Sequence, residues 1–66
     1  MRIHINGQPR DCSTGTTLLQ LLEQTNYGLR RVAVEINLEI IPRSLYAQRI
    51  LQEGDRIEIV QAVGGG

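Results

Sequence analysis

Lysine is missing from this chain of 66 residues: its seven basic side chains are all Arg, set against seven acidic ones. The net charge of zero at pH 7 argues against nucleic acid as a main partner, because phosphate binding calls for a basic face. Cysteine occurs once, at Cys12, so no disulfide staples the chain, which suits a reducing, cytoplasmic setting. A reactive thiol needs an activating neighbour, and none is identifiable, so Cys12 reads as a small buried hydrophobe. The single histidine, His4, is expected to point to solvent from a strand, and no four-ligand zinc set can be assembled. Phe and Trp are absent, and Tyr27 and Tyr46 do not make a base-stacking platform. No apolar run approaches ~18 residues, so no membrane span is expected. Arg2 and His4 directly after Met1 leave no apolar stretch for a signal peptide. Neither a phosphate loop nor G-x-G-x-x-G occurs, and Glu53 and Asp55 are expected to solvate a turn. An enzyme of its own, a bound cofactor and a metal site are therefore not expected.

What is there alternates. Ile3 and Ile5 interleave with Arg2, His4 and Asn6 over residues 1–6, the period of a half-buried strand. Asn6-Gly7 is a strong hairpin signal and predicts a second strand over 8–12, placed at a sheet edge by Pro9, which cannot donate to a ladder. After the loop 13–16, Thr17 and Gln20 fit a capping box. Leu18, Leu21 and Leu22 follow at helical spacing with Leu19 beside them, predicting a core-facing helix over 18–25 that Asn26 and Gly28 stop. Such a helix is too short to stand alone and must pack on a sheet. Residues 31–37 alternate again, with Val32, Val34 and Ile36 on one face and Ala33, Glu35 and Asn37 on the other. A short strand over 38–41 ends at Pro42, and Ser44 is positioned to cap one helical turn through Leu45, Tyr46 and Ala47. The last strand runs over 56–63 with Ile57 and Ile59 inward. Its outer face turns apolar at Val60 and Ala62, where a buried strand end and a docking patch are both open; Ala33 on a neighbouring strand extends the patch reading. The expected architecture is α+β in two layers: four or five short strands with one main helix on one face. Residues 1–63 form the domain, whose small core makes stability marginal, and 64–66 form a flexible tail.

Gly64-Gly65-Gly66 serves neither packing nor periodicity, and glycine resists ordering more than any other residue. At roughly 7% average usage, three in a row at one defined end arise about once in a few thousand chains. A frayed terminus is one reading. The other is a tail shaped for a partner's active site, thin enough to thread a narrow channel and present the Gly66 carboxylate to a phosphate. That carboxylate, with a reference pKa of about 3.3–3.7, is ionised and a poor electrophile, so chemistry there needs activation. The lack of lysine has two readings as well. One is compositional bias; the other is that a chain ending in a reactive acyl group gains by lacking amines that would attack it.

Asn6-Gly7, Cys12 before a glycine-containing loop, the leucines of Thr17 to Glu23, Val32-Ala33-Val34 with Asn37, Ile41-Pro42-Arg43, Gly54-Asp55 before Ile57-Glu58-Ile59-Val60, and the terminal glycines occur together and in order. In this the chain resembles the ubiquitin-like sulfur carriers with a β-grasp fold, most of all the ThiS type of thiamin-thiazole biosynthesis, over essentially its whole length. Ile-Pro-Arg and the short length separate it from the longer molybdopterin-synthase relative. Gly64 departs from the family's need for two glycines and lengthens the approach. The resemblance implies a β-grasp domain with a mixed sheet. It also implies an E1-like (ThiF-like) adenylyltransferase that uses ATP to adenylate Gly66, and a persulfide donor whose sulfur leaves a C-terminal thiocarboxylate. A ThiG-like thiazole synthase would receive that sulfur and build thiazole phosphate from a deoxyxylulose phosphate and a glycine-derived imine. Gly64 and Gly65 would thread the partner's channel. Val60, Ala62, Val63 and Ala33 are the docking residues inferred from pattern. Sulfur delivery to molybdopterin or tRNA, conjugation to target lysines through Gly66, and a non-covalent interaction domain stay open as alternatives.

Overall fold

In the computed structural model, which describes residues 1–25, 27 and 31–61, the alternating segments become five strands. The first, β1 (Arg2–Ile5), turns through Asn6 and Gly7 into β2 (Gln8–Asp11). Both turn residues have positive φ, 50° and 84°, the backbone that two-residue hairpins demand and that Asn and Gly tolerate. Across the hairpin the Arg2 guanidinium donates to the Asp11 carboxylate at 3.0 Å. That hydrogen bond, with the added charge attraction, holds the Asp11 carboxyl below its ordinary range. Both side chains are exposed, so the pair adds little stability.

The helix α1 (Leu18–Glu23) carries the expected capping box: the Gln20 amide donates to Thr17 Oγ1, and the Thr17 amide to Gln20 Oε1. Its C-cap is Gln24, two residues before the expected stop, and the stop residues Asn26 and Gly28 lie outside the described residues. The other free amides at the helix start are met from far along the chain, Leu18 by the Arg49 carbonyl at 2.8 Å and Leu19 by that of Tyr46 at 2.9 Å. Helix N-termini leave such donors orphaned unless something supplies acceptors. Here the segment after β3 (Val32–Ile36) and β4 (Glu39–Ile41) does so.

That segment departs from expectation in detail. The helical turn is a 3-10 turn, Arg43–Leu45, with Pro42 at its N-cap and no side-chain cap; Ser44 sits inside it. Pro42 caps with its own carbonyl, which accepts from the Leu45 amide at 2.9 Å. Leu38 belongs to the β3–β4 turn rather than to the strand, and it too has a positive φ, 71°.

The strand β5 (Arg56–Gln61) completes a sheet of order β2-β1-β5-β3-β4. β5 runs parallel to β1 and antiparallel to β3, and the outer pairs are antiparallel, so the sheet is mixed. β2 with Pro9 is an edge, as a missing amide requires. On one face Ile3, Val34, Ile36, Ile57 and Ile59 join Leu18, Leu21 and Leu22 of the helix, together with Tyr46 and Leu51, in one core. Cys12 is only half-buried against it.

Two polar residues tie distant strands together. Asn6 donates Nδ2 to the Ile59 carbonyl at 3.2 Å and accepts from the Ile59 amide at Oδ1, 2.7 Å. Its side-chain amide thus extends the β1–β5 ladder in place of a peptide. Asp55, expected to solvate a turn, is instead 5% exposed. Its carboxylate accepts from the Gln52 amide at 2.8 Å and from Asn37 Nδ2 at 3.0 Å, and it faces Arg49 Nη2 at 3.5 Å. The turn closes over the carboxylate because these three donors replace its water. Asn6→Gly keeps the turn backbone and loses the two bonds to Ile59, whereas Asn6→Ala loses the bonds and adds left-handed strain. We expect the urea midpoint to fall for both, with the Ala variant about 1 kcal/mol the worse.

Candidate functional site

The outer face of the sheet, opposite the helix, is where the sequence placed its docking residues. Val60 on β5 is 64% exposed and lies directly across from Ala33 on β3, which is also exposed. The structure therefore makes Val60 an exposed patch residue and not a buried strand end. Ala62, Val63 and the tail glycines Gly64, Gly65 and Gly66 lie outside the described residues. β5 nonetheless leads directly into them from Gln61, so the face carrying Val60 and Ala33 is contiguous in sequence with the tail.

The register extends this face in rows. Next to Val60 and Ala33 come Glu58, Glu35 and Ile40, opposite one another on β5, β3 and β4. Ile40 is 75% exposed, and Leu38 in the adjoining turn 89%. Local sequence does not expose either one, because the short segment 38–41 carries no sustained alternation that says which face each shows. The pairing register of β4 on β3, which sets Ile40 opposite Glu35, is what puts it on this face. A hollow of about 350 Å³ lined by Asn37, Leu38, Arg56 and Glu58 opens on this side.

His4 departs from expectation. It lies on an interior strand between Pro9 and Arg56, is half-buried, and its Nδ1 is enclosed without a hydrogen-bond partner. Neighbouring strands on both sides cover a residue that alternation alone assigns to solvent. A larger open cleft, about 660 Å³, sits at the far end of β5 with Ile5, Pro9, Tyr27 and Gln61 among its walls. Among the described residues no three His, Cys, Asp or Glu side chains gather in a metal-binding arrangement, and no helix is long and apolar enough to cross a membrane. Such a surface can hold a protein partner.

A five-stranded mixed sheet with one short helix on one face is a β-grasp architecture, and a crystal structure of the thiamine biosynthesis protein (ThiS) from Geobacter metallireducens shares it, with a TM-score of 0.82 over 100% of both chains and 26% identity. The sequence profile of the ThiS family matches residues 3–66. The sulfur carrier protein ThiS of Escherichia coli is 41% identical over 66 residues, 100% of each chain. The chain belongs to the ThiS family. A thiazole synthase from Paramagnetospirillum magneticum is 47% identical over the whole of this chain, which spans 20% of that protein's length.

Proposed function

We propose that this chain is a sulfur carrier of thiamine biosynthesis, a protein co-substrate and not an enzyme, that works in the cytoplasm through the carboxylate of Gly66. The observation that carries the reading is a family match that runs through Gly66 next to an exposed sheet face that leads into the same tail. The chemistry follows from the poor electrophilicity of a carboxylate. An E1-like partner joins the Gly66 oxygen to the α-phosphate of ATP and releases pyrophosphate, giving an acyl adenylate with a good leaving group. The terminal sulfur of a persulfide attacks the acyl carbon and AMP departs with the bonding pair. A thiol then cleaves the S–S bond, supplying two electrons, and a thiocarboxylate remains. Its sulfur is a stronger nucleophile than carboxylate oxygen and is passed to thiazole synthase. Matches to this whole chain inside proteins named thiazole synthase from Paramagnetospirillum magneticum and Magnetococcus marinus support that recipient, because joining carrier and acceptor in one polypeptide serves a direct transfer. The chain itself binds no cofactor in this scheme; ATP belongs to the adenylating partner, and Gly64 and Gly65 thread its channel.

The test is the intact mass after incubation with ATP, the adenylating partner and a sulfur source. We expect a gain equal to one oxygen replaced by one sulfur, localised to Gly66. An unchanged mass, with the partner shown to be active on another carrier, overturns the reading. Adducts on lysines of other proteins favour a modifier instead.

A further inference from the structure

Asn6-Gly7 makes the hairpin turn, and it is also the dipeptide of this chain most open to one spontaneous reaction. Asparagine loses its side-chain nitrogen when the next backbone nitrogen attacks Cγ, and glycine shields that nitrogen least because it has no Cβ. Of the asparagines Asn6, Asn26 and Asn37, only Asn6 is followed by glycine; Tyr27 and Leu38 follow the others. The attack needs Cγ within about 3–3.5 Å of the Gly7 nitrogen and the departure of Nδ2. In this fold both polar atoms of the side chain are held elsewhere, Nδ2 by the Ile59 carbonyl at 3.2 Å and Oδ1 by the Ile59 amide at 2.7 Å. Ring closure has to break both bonds. Ile59 depends on the same side chain in turn. β1 pairs with β5 at His4 with Arg56 and at Ile5 with Ile57, and the Asn6 amide still reaches the Ile57 carbonyl at 2.8 Å before the chain turns away. Ile59 is 5% exposed, nearly closed to water, and the Asn6 carboxamide supplies the rung that the β1 backbone no longer can. Two residues on, β5 ends at Gln61 and leads into the tail.

We propose that Asn6-Gly7 is a deamidation site that the fold guards, and that its conversion releases the end of the strand bearing the tail and slows sulfur loading. The Gly7 nitrogen gives up its proton and bonds to Asn6 Cγ. The Cγ–Nδ2 bond breaks, and ammonia leaves with a proton in place of the one given up. Water then opens the resulting succinimide. Opening at Cγ gives aspartate; opening at the backbone carbonyl gives isoaspartate, in which the main chain runs through Cγ. One water enters, one ammonia leaves, and nothing is oxidised or reduced. Either product undoes the clamp on Ile59. An ionised aspartate has no donor, so a carboxylate oxygen faces the Ile59 carbonyl and leaves a buried acceptor without its bond. Isoaspartate lengthens the backbone of a two-residue turn whose positive φ values at Asn6 and Gly7 match the twist of the flanking strands. A tail whose root has come loose is aligned less often at a partner's phosphate. The effect on sulfur loading rests on the reading of Gly66; the deamidation and the release of Ile59 do not.

The test ages the unaltered full chain at mildly alkaline pH, folded and in concentrated urea, beside Gly7→Asp. Trypsin cuts after Arg2 and Arg10 and frees Ile3–Arg10, whose only asparagine is Asn6; fragmentation mass spectrometry reads the replacement of NH2 by OH there. In Gly7→Asp a side chain shields the nitrogen. Aspartate tolerates positive φ better than most residues, and a Cβ at residue 7 meets nothing within 4 Å. The comparison in urea holds whether or not the variant folds. Asn6 is expected to convert in the unaltered chain, about tenfold or more slowly when folded than in urea, and more slowly again in the variant. The converted protein, separated by its extra negative charge, is expected to exchange the Ile59 amide hydrogen about tenfold or more faster than the unaltered chain, a larger change than at Leu21 in the helix, and to gain sulfur several-fold more slowly. Equal conversion in the folded chain and in urea overturns the proposal, as does an Asn6 that stays intact in urea. So does a converted protein whose Ile59 and Leu21 amides speed up alike, which marks a general loss of stability, or one that loads sulfur at the original rate. If conversion and exchange behave as expected but the unaltered chain never gains sulfur, it is the Gly66 reading that falls.

Discussion

Gly65→Val is expected to leave the protein folded and to slow thiocarboxylate formation about a hundredfold or more. The core is drawn from residues between Ile3 and Ile59, so a change at residue 65 removes none of its contacts, and Tm should match the unaltered chain. The reaction is another matter. An acyl carbon must meet the α-phosphate at bonding distance and in line, and misplacement by about 1 Å is enough to cost two orders of magnitude. Valine adds a branched Cβ whose two methyls restrict rotation and widen the chain one residue before the reacting carboxylate. The measurement is the rate of ATP-dependent pyrophosphate release with the adenylating partner, followed by intact mass. Gly65→Ala, with a single methyl, should lie between the two. Equal rates for all three proteins would mean that the tail does not pass through a confined channel.

Leu21→Ala is expected to unfold a large part of the population. Leu21 is 0% exposed in the core, and deleting a fully buried leucine to alanine costs about 3 kcal/mol through lost transfer energy and the cavity left behind. A domain of this length without disulfide or metal rarely has more than about 3–5 kcal/mol in hand. The same amount lost from a larger protein would go unnoticed in function; here it takes most of the margin. Circular dichroism against urea should show the midpoint falling by more than half. Leu38→Gly is the control, since Leu38 lies in solvent at 89% exposure and contributes nothing to the core. A midpoint for Leu21→Ala near that of the unaltered chain would show that the helix is not what closes the core.

These two leucines show where sequence reading succeeds and where it stops. Leu21 was legible as core because Leu18, Leu21 and Leu22 repeat at helical spacing behind a Thr17–Gln20 capping box, and both signals act within one or two turns of backbone. Leu38 was not legible. Read along the chain it opens the short segment 38–41 that reads as a strand, and nothing local says that Asn37 and Leu38 turn with positive φ. Asn6-Gly7 announced its turn because glycine is the residue that conformation favours; Asn37-Leu38 makes a comparable turn with the wrong second residue, and so hid it. Asp55 differs from its local expectation for a related reason. A carboxylate after Gly54 looks solvated until Asn37, Arg49 and Gln52 arrive from three places to cover it.

Of the candidate site, the sequence supplied the Gly66 carboxylate, the patch beginning at Val60, and Ala33 as its neighbour across the strands. It could not supply Glu35 opposite Glu58, or Ile40 beside them, because register between strands is a property of pairs.

By itself, then, the amino-acid order determined what local physics can settle: the five extended segments, the capped helix, the hairpin turn at Asn6 and a tail free of side chains. The tertiary structure alone decided that the first and last strands lie parallel at the centre of the sheet, held by an Asn6 side chain that bonds Ile59 53 positions away, and that Tyr46 and Arg49 carbonyls complete the start of a helix that precedes them. Alternation and capping are set by backbone within a few residues, whereas which strand meets which depends on where the whole chain can return to bury one shared core.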